Sequence, residues 1–374
     1  MIAIIDLFIN GIKPLNKFPK LLLAPIVFYL LHITSAFYSA NSDAAVFDLE
    51  VKFSFLLLPI LFGFQKTDSN LRMTNILKLY LITSFLAGTF MLLMNVDHYF
   101  DTGKWLHYIA YSFLLHPSYL SLYFSFSILV GIYLLKIRKA NILCIISTII
   151  LSLGNIAFAE SKAAVLALLV LFIYLVFKLI KPTHRKIAAG ISIIIIVIFG
   201  AFANKVDRFS SISYTIEHYK QISANPEKAI ESTALRFLVW ESAISIIGDN
   251  PILGVGNGDV HTELSKAYKE RKVKEALSLN MNAHNQYLET AVGLGFIGLI
   301  SLLVMLIPPL FYHKTNTILV QGFILLIGIN IMVESMFNTQ AGVLFIAFFY
   351  SYLVSQAINN YSVNHNSASN KSIE

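Results

Sequence analysis

The run AHNQYLETAVGLGFIGLISLLVMLIPPLF, residues 283–311, is the strongest guide to the fold, because a polar start containing histidine precedes a long apolar stretch. A stretch of this length is sufficient for an α-helix to cross a bilayer. At about 100° per residue, we predict that His284, Gly295 and Gly298 share one helix face. Glycines on such a face allow a neighbouring backbone to approach closely. The run therefore predicts a membrane helix with a fixed imidazole at its start.

The composition of the chain predicts an all-α polytopic membrane protein. Of its 374 residues, 56% are hydrophobic and 13% are charged, with a mean hydropathy of +0.69. Such a chain contains more apolar surface than a soluble core requires. The net charge of +7 is better explained by basic loops than by binding of nucleic acid. The single cysteine, Cys144, lies in an apolar run, so the chain cannot form an internal disulfide.

Recurrent apolar stretches predict about ten transmembrane helices, within a range of about ten to twelve. They cover approximately residues 21–37, 53–64, 76–94, 119–135, 142–158, 163–179, 187–202, 287–311, 318–333 and 341–354. The second stretch is short and follows several charged residues, so it could be tilted or re-entrant.

Basic residues predict the orientation of these spans, because positively charged loops remain in the cytoplasm. They cluster on alternate connections: Lys13, Lys17 and Lys20; Lys66, Arg72 and Lys78; Lys136, Arg138 and Lys139; Lys178, Lys181, Arg185 and Lys186; and Lys314. Both termini are then cytoplasmic. The connections at 161–162, 203–284 and 334–340 face outward.

This pattern divides the chain into four parts. Residues 1–202 are predicted to form an N-terminal transmembrane bundle, and 203–286 a partly helical outer loop domain. Residues 287–358 then return to transmembrane helices, and the polar segment 359–374 is predicted to be a disordered cytoplasmic tail. Within the outer loop, residues 229–247 have the pattern of an amphipathic helix with Arg236 and Trp240 on one face.

Three motifs resemble the O-antigen ligase family, which includes related polymerases and protein O-oligosaccharyltransferases. His284-Asn285 is followed after nine residues by Gly295-Phe296-Ile297-Gly298, as in the family signature. Arg236 to Trp240, leading to the proline and glycine turn at 250–256, resembles its outer-loop pattern. Residues 160–164 resemble its serine-arginine turn, although Lys162 stands where the family has arginine. The resemblance extends over about residues 119–354.

The resemblance implies a glycosyltransferase in the bacterial inner membrane, with its site facing the periplasm and the outer loop located there. The donor would be a glycan linked to undecaprenyl diphosphate, and the acceptor a hydroxyl of the lipid A core or another glycan. Membrane lipid would surround the protein. No cofactor, metal or nucleic acid is expected. A polymerase of the same family uses the same donor and leaving group, so it remains an alternative.

The same resemblance assigns roles to individual residues. His284 would be the general base that removes the proton of the attacking hydroxyl. Arg236 and Lys162 would bind the donor diphosphate through charge-assisted hydrogen bonds. The proposed supporting residues are Asn285, Glu289 and Trp240, and the proposed structural residues are Gly295 and Gly298.

Each role has a simpler alternative. His284 could be an interfacial polar group, and Arg236 a solvated helix edge that packs on Trp240. Lys162 could instead pair with Glu160. Asn285 is better explained as a helix cap, and Glu289, about 140° around the helix from His284, as a structural acceptor.

Two other functions are less consistent with the sequence. The spacing of the outer histidines matches no metal-binding pattern. A transporter or lipid flippase would fit the number of spans. However, transporters usually carry ionisable groups in the middle of the membrane, and the clearest spans contain none there.

Overall fold

The computed structural model describes residue 14 and residues 17–65, 70–203 and 207–371. Every regular element in these ranges is a helix, which confirms the predicted all-α class. The longer helices are α1 Leu23–Ala36, α2 Ser42–Lys52, α3 Ser54–Phe64, α4 Asn70–Thr102, α5 Pro117–Lys136, α6 Ile142–Ala159, α7 Lys162–Leu179, α8 Arg185–Ala203, α9 Asp207–Glu217, α10 Ser232–Asp249, α11 Val260–Glu270, α12 Gln286–Leu306, α13 Ile318–Asn330 and α14 Gln340–Lys371. Shorter helices cover Tyr108–Tyr111, Tyr219–Ala224, Lys274–Ser278 and Pro308–Phe311.

Each of the ten apolar stretches predicted from the sequence coincides with a helix. Among the described residues, six helices are long and apolar enough to cross a membrane: α4, α5, α6, α7, α12 with its short continuation, and the first part of α14. Helices α1 and α13 are apolar but shorter. Six candidate spans establish a multi-pass pattern, whereas the count of about ten and the orientation remain predictions. The basic residues Lys13 and Lys66 lie outside the described residues.

Aromatic side chains fill the centre of the helical bundle. Phe126 of α5 is fully buried. Its ring centroid lies 4.9 Å from that of Phe323 in α13 and 4.6 Å from that of Phe349 in α14. Tyr80 of α4 contacts the same ring at 5.1 Å. Because lipid tails are as apolar as these side chains, van der Waals packing holds this core together more than water exclusion does.

The connection between α8 and α12 forms a second, smaller core. Leu238 and Val239 of α10 pack with Leu264 and Tyr268 of α11, and this cluster continues into the first turns of α12 through Val292. Helix α10 lies where the sequence predicted a helix at 229–247. The small core fixes the connection on the end of the bundle where α5, α7 and α12 begin. We call this the connection end.

Helix α12 corrects the prediction made from the helical wheel. It begins at Gln286, so His284 precedes it, with a left-handed φ of 44°. Gly295, with φ 61° and ψ −159°, breaks the helix in the middle. The prediction that His284, Gly295 and Gly298 share one helix face is therefore wrong, because the residues on either side of Gly295 belong to separate helical segments.

The break at Gly295 is stabilised by backbone from the turn at 251–256. The amides of Val255 and Gly256 donate to the carbonyls of Val292 and Gly293, at 2.9 and 3.0 Å. The amide of Phe296 in turn donates to a carbonyl of the turn. A Cβ on Gly295 would come within 2.3 Å of the Ile252 carbonyl oxygen. The close approach of the turn backbone thus requires glycine at position 295. This glycine lies at a break in the helix, not on a continuous face that packs against another helix.

Helix α14 runs to Lys371 and so continues into the segment 359–374, which the sequence predicted as a disordered tail. Residues 372–374 lie outside the described part of the chain. The division of the chain into four parts remains a prediction from the sequence.

Candidate active site

The three connections predicted to face the same side lie together at the connection end. Lys162, at the start of α7, donates to Thr233 at the start of α10, at 2.7 Å. His284, before α12, contacts Glu334, before α14. The basic residues Lys136 and Lys178 lie at the opposite ends of α5 and α7. The grouping expected from alternating loop charge is therefore present in the fold.

Contacts of its backbone amide and of its ring hold His284 in place. Its amide donates to Asn282 Oδ1 at 2.8 Å, and its side chain is 18% exposed. Ring atom Nδ1 lies 3.2 Å from Glu334 Oε1 and 3.4 Å from Oε2. An ionised carboxylate only accepts hydrogen bonds, so Nδ1 carries the hydrogen. In a neutral ring, Nε2 then has the free electron pair that a general base needs.

Glu334 is the centre of a polar group that the sequence did not reveal. Its side chain is 5% exposed, and it also lies 3.6 Å from His116 Nδ1 and accepts from Ser118 Oγ at 3.5 Å. Burial alone would raise the pKa of Glu334. The hydrogen bond from His284 and the charges of His284, His116 and Arg236 outweigh burial and hold that pKa below its ordinary value. The carboxylate therefore remains ionised beside the imidazole.

The loops that carry His284 and Glu334 are joined by further hydrogen bonds. The Gln286 amide donates to the Ile331 carbonyl at 2.8 Å, and its side chain accepts from the Phe337 amide at 2.7 Å. Asn285 caps α12 by accepting from the amides of residues 287 and 288, which is the role its sequence position favoured. These contacts fix the imidazole and the carboxylate relative to each other.

Glu289 accepts hydrogen bonds from the loops around the site. Its carboxylate accepts from the Ala283 amide at 2.7 Å and from Asn338 Nδ2 at 2.8 Å. It also accepts from Ser335 Oγ at 3.4 Å. Glu289 therefore supports the backbone on both sides of the site, whereas Glu334 contacts the ring of His284.

A cavity of about 300 Å³, which we call the first cavity, adjoins this polar group. Arg236, Lys162 and Trp240 line it, together with Ser118 and Val333, which connect it to Glu334. Within the described part of the chain, Arg236 Nε and Trp240 Nε1 are buried without a hydrogen-bond partner. Buried donors normally have partners, so these two atoms are available to donate to a molecule in the cavity. The fold thus brings both predicted donor-binding cations into one cavity.

Lys162 lies at the start of α7, and its side chain contacts the start of α10. Ser161 caps α7 by accepting from the Ala164 amide at 3.3 Å. Lys162 Nζ donates to Ser211 Oγ at 2.9 Å in addition to Thr233. Burial alone would raise the pKa of Glu231, the cap of α10, but hydrogen bonds from the Ala234 and Thr233 amides and the positive charge of Lys162 hold that pKa below its ordinary value. Glu160, in the wall of the same cavity, contacts His107 Nδ1 at 3.1 Å.

The sequence contained a signal for Glu334, because it assigned 334–340 to the same side as His284. It gave no distance between them, since the two residues are fifty positions apart. His116 precedes α5, and the sequence suggested only the start of a span there. Among the described residues, no group of three or more His, Cys, Asp or Glu side chains is arranged to hold a metal ion.

Comparison with known proteins supports the family resemblance that these motifs indicated. Residues 147–303 match the family model described as O-antigen ligase. That range contains Lys162, Arg236 and His284, and it ends before Glu334. An uncharacterised protein of Haemophilus influenzae is 37% identical over 93 residues, which cover 24% of this chain and 23% of that protein. The matched part thus spans about a quarter of that relative.

Proposed function

We infer that this chain, which belongs to the O-antigen ligase family through residues 147–303, transfers a glycan from undecaprenyl diphosphate to an acceptor hydroxyl. The family consists of membrane glycosyltransferases of the ligase or polymerase type. We propose the ligase reaction, with the lipid A core as acceptor, at the periplasmic face of the inner membrane.

The proposed reaction is a direct displacement at the anomeric carbon of the donor sugar. The acceptor oxygen forms a new bond to that carbon as the bond to the diphosphate oxygen breaks. A sugar hydroxyl is a poor nucleophile at neutral pH, so its proton passes to Nε2 of His284 during the attack. Glu334 holds the ring by Nδ1 and stabilises the imidazolium that forms. Attack from the opposite side inverts the configuration at carbon.

The departing diphosphate gains negative charge as the bond breaks. Arg236 can meet it with two aligned hydrogen bonds, and Lys162 adds a mobile point charge. Both cations line the first cavity, where burial reduces screening by water. Charge stabilisation by these residues needs no metal ion.

A single observation supports the proposal most strongly. The cavity that contains Arg236 and Lys162 shares its wall residue Ser118 with the carboxylate that orients His284. A base and a binding site for a leaving group therefore lie side by side, as this reaction requires.

Transfer by the purified protein in detergent tests the enzyme class. The donor is a glycan linked to undecaprenyl diphosphate, and the acceptor is a lipid A core. We expect an acceptor of increased mass and release of undecaprenyl diphosphate. His218→Ala is the matched control, since this partly exposed histidine stacks on Tyr214 and does not line the first cavity. A flippase would give no product, because detergent leaves no compartments, and that result would reject the proposal.

Deletion of the gene distinguishes ligase from polymerase. Loss of a ligase should leave full-length polymer on the carrier lipid, since only the final transfer fails. Loss of a polymerase should leave single repeats there instead. Analysis of the carrier-linked glycans by mass therefore decides between the two acceptors.

A further inference from the structure

A second cavity of about 320 Å³ lies at the connection end and is not used by the reaction described above. Helices α1, α2 and α12, residues 257–258 and the start of α11 form its walls. Its volume is in the range of about 300–1,000 Å³ that is usual for small-molecule sites. Gln286 and Glu289 line it. Glu289 also accepts from the Ala283 amide beside His284, and Gln286 accepts from the Phe337 amide in the loop that carries Glu334.

Charged and amide side chains are buried in this wall. Lys52 is 3% exposed and donates to Asp48 one turn earlier in α2. Asn257 Nδ2 also donates to Asp48 Oδ2, at 3.1 Å. Glu289 places a second carboxylate in the same wall. Such groups are costly to bury and do not add net stability in proportion, so their concentration in a cavity indicates binding more than packing.

His32 adds an acceptor to the wall. It is 4% exposed, and its Nδ1 lies 2.8 Å from the Phe28 carbonyl oxygen. Because a carbonyl only accepts, Nδ1 carries the hydrogen, and Nε2 is the ring atom that can accept one from a ligand. Lys52 and Asn257 supply donors beside it. The wall thus offers both donors and acceptors.

The balance of charge distinguishes the two cavities. In the second cavity, Asp48 neutralises Lys52, and Glu289 is a further acidic side chain that accepts from the Ala283 amide and Asn338. A phosphate would therefore meet a lysine that is already paired with a carboxylate, whereas a neutral ligand with several hydroxyls could donate to the acidic side chains and accept from the amine and amides. Phe47 lies at the rim with 64% of its surface exposed, and its ring can cover an apolar ligand face.

We propose that the second cavity binds one sugar unit of the acceptor glycan, on the opposite side of the His284 loop from the site of the donor diphosphate. This assignment rests on the proposed transferase function, which explains why two substrates must meet at His284. The sugar is held by hydroxyl hydrogen bonds to the buried polar wall and by contact of its C–H face with Phe47.

Ala44→Trp tests the proposal by filling the cavity. Ala44 is a partly exposed wall residue in the first turn of α2. Val46→Trp is the matched control, because Val46 lies on the same helix, is 54% exposed and is not a wall residue. The probes are methyl β-D-glucopyranoside, methyl β-D-galactopyranoside and methyl 2-acetamido-2-deoxy-β-D-glucopyranoside. Binding to the full chain in detergent is followed by saturation-transfer NMR.

We expect binding of at least one probe to the wild type and to Val46→Trp, and loss of binding in Ala44→Trp. Phe47→Ala should weaken binding by about fivefold, the effect of losing one aromatic contact of about 1 kcal/mol. Inorganic pyrophosphate should not displace the probe. Absence of binding in the wild type, unchanged binding in Ala44→Trp, or displacement by pyrophosphate would each overturn the assignment.

The binding test is independent of catalysis. The same probes should bind His284→Ala as well as they bind the wild type, since His284 does not line the second cavity. In transfer assays, Phe47→Ala should raise KM for the lipid A core and leave KM for the donor unchanged. If transfer fails in the wild type while Ala44→Trp still removes probe binding, the transferase proposal is wrong and the sugar site stands.

Discussion

The aromatic core of the bundle and the connection end differ in the kinds of side chain that they bury. Around Phe126, regular helices pack apolar rings with no charged group among them. Around His284, the backbone leaves the helical region, and carboxylates and cations are buried together. Burying charge is unfavourable unless it is paired, so such an arrangement persists where function needs it. The contrast predicts that variants of the core lose stability, whereas variants of the site lose transfer.

The largest effect should follow His284→Ala. Removal of a general base lowers the rate of a transfer of this kind by about 10²–10⁴-fold. The substitution also leaves Glu334 without its ring partner, so a second variant is needed. His284→Gln can still donate a hydrogen bond to Glu334 but is a very poor base. We expect kcat to fall in both variants at similar membrane insertion. Near-normal turnover in His284→Gln would break the comparison.

Phe126→Ala should give the largest loss of stability. Truncation of a buried aromatic ring typically costs about 3–5 kcal/mol, and Phe126 contacts three helices. We expect a clearly lower midpoint of thermal unfolding in detergent. The kcat of protein that remains folded at low temperature should change little. Phe172→Ala is the control, because this ring on α7 is 47% exposed.

Glu334→Gln should lower kcat by about 10²-fold, since an amide can hold the ring but cannot stabilise an imidazolium by charge. The KM for the donor should stay within about twofold, because Glu334 does not line the first cavity. Glu263→Gln, in a partly exposed ion pair on α11, is the matched control. A rise in donor KM without loss of kcat would show that Glu334 serves binding instead.

Arg236→Lys should reduce kcat/KM by about tenfold, or about 1.4 kcal/mol, because a point charge cannot reproduce two aligned hydrogen bonds to a phosphate. Arg138→Lys is the matched control on an exposed residue at the opposite end of α5. An Arg236→Lys variant with unchanged donor affinity and rate would remove Arg236 from the proposed binding site.

The smallest effect concerns pH and the stability contributed by Glu334. Because the pKa of Glu334 is lowered in the folded protein, its contribution is present above the carboxyl pKa of the unfolded chain, about 4.3, and is lost as pH falls through the folded value. The difference in thermal midpoint between wild type and Glu334→Gln should thus shrink as pH falls below about 4.3. A difference that grows below that pH would contradict the lowered pKa.

Much of the fold followed from local sequence. The apolar runs located the helices, although α4 and α14 extend well beyond the predicted stretches, because a membrane span requires a continuous apolar stretch of fixed length. Asn285 was assignable as a cap for a similar reason, since capping depends on neighbours three residues away at most. The alternation of basic loops indicated which connections would meet at one end.

The features that the sequence did not reveal depend on distant parts of the chain. Glu334 faces His284 only after α13 and the loop at 331–339 have folded beside α12. The helix break is another case. An apolar run with two glycines has the period of a continuous helix, and only the backbone of the turn at 251–256 makes a break at Gly295 favourable.

The backbone hydrogen bonds between the turn at 251–256 and α12 bear on how the protein is synthesised and inserted. Residues 251–256 emerge from the ribosome before α12, so the partners for its interrupted backbone already exist when this span reaches the bilayer. Because these bonds use backbone groups, they constrain the side chains of the turn mainly at Gly254 and Gly256, whose φ values are positive. A deletion of one residue there would instead shift every bond in the register and leave polar backbone exposed within lipid.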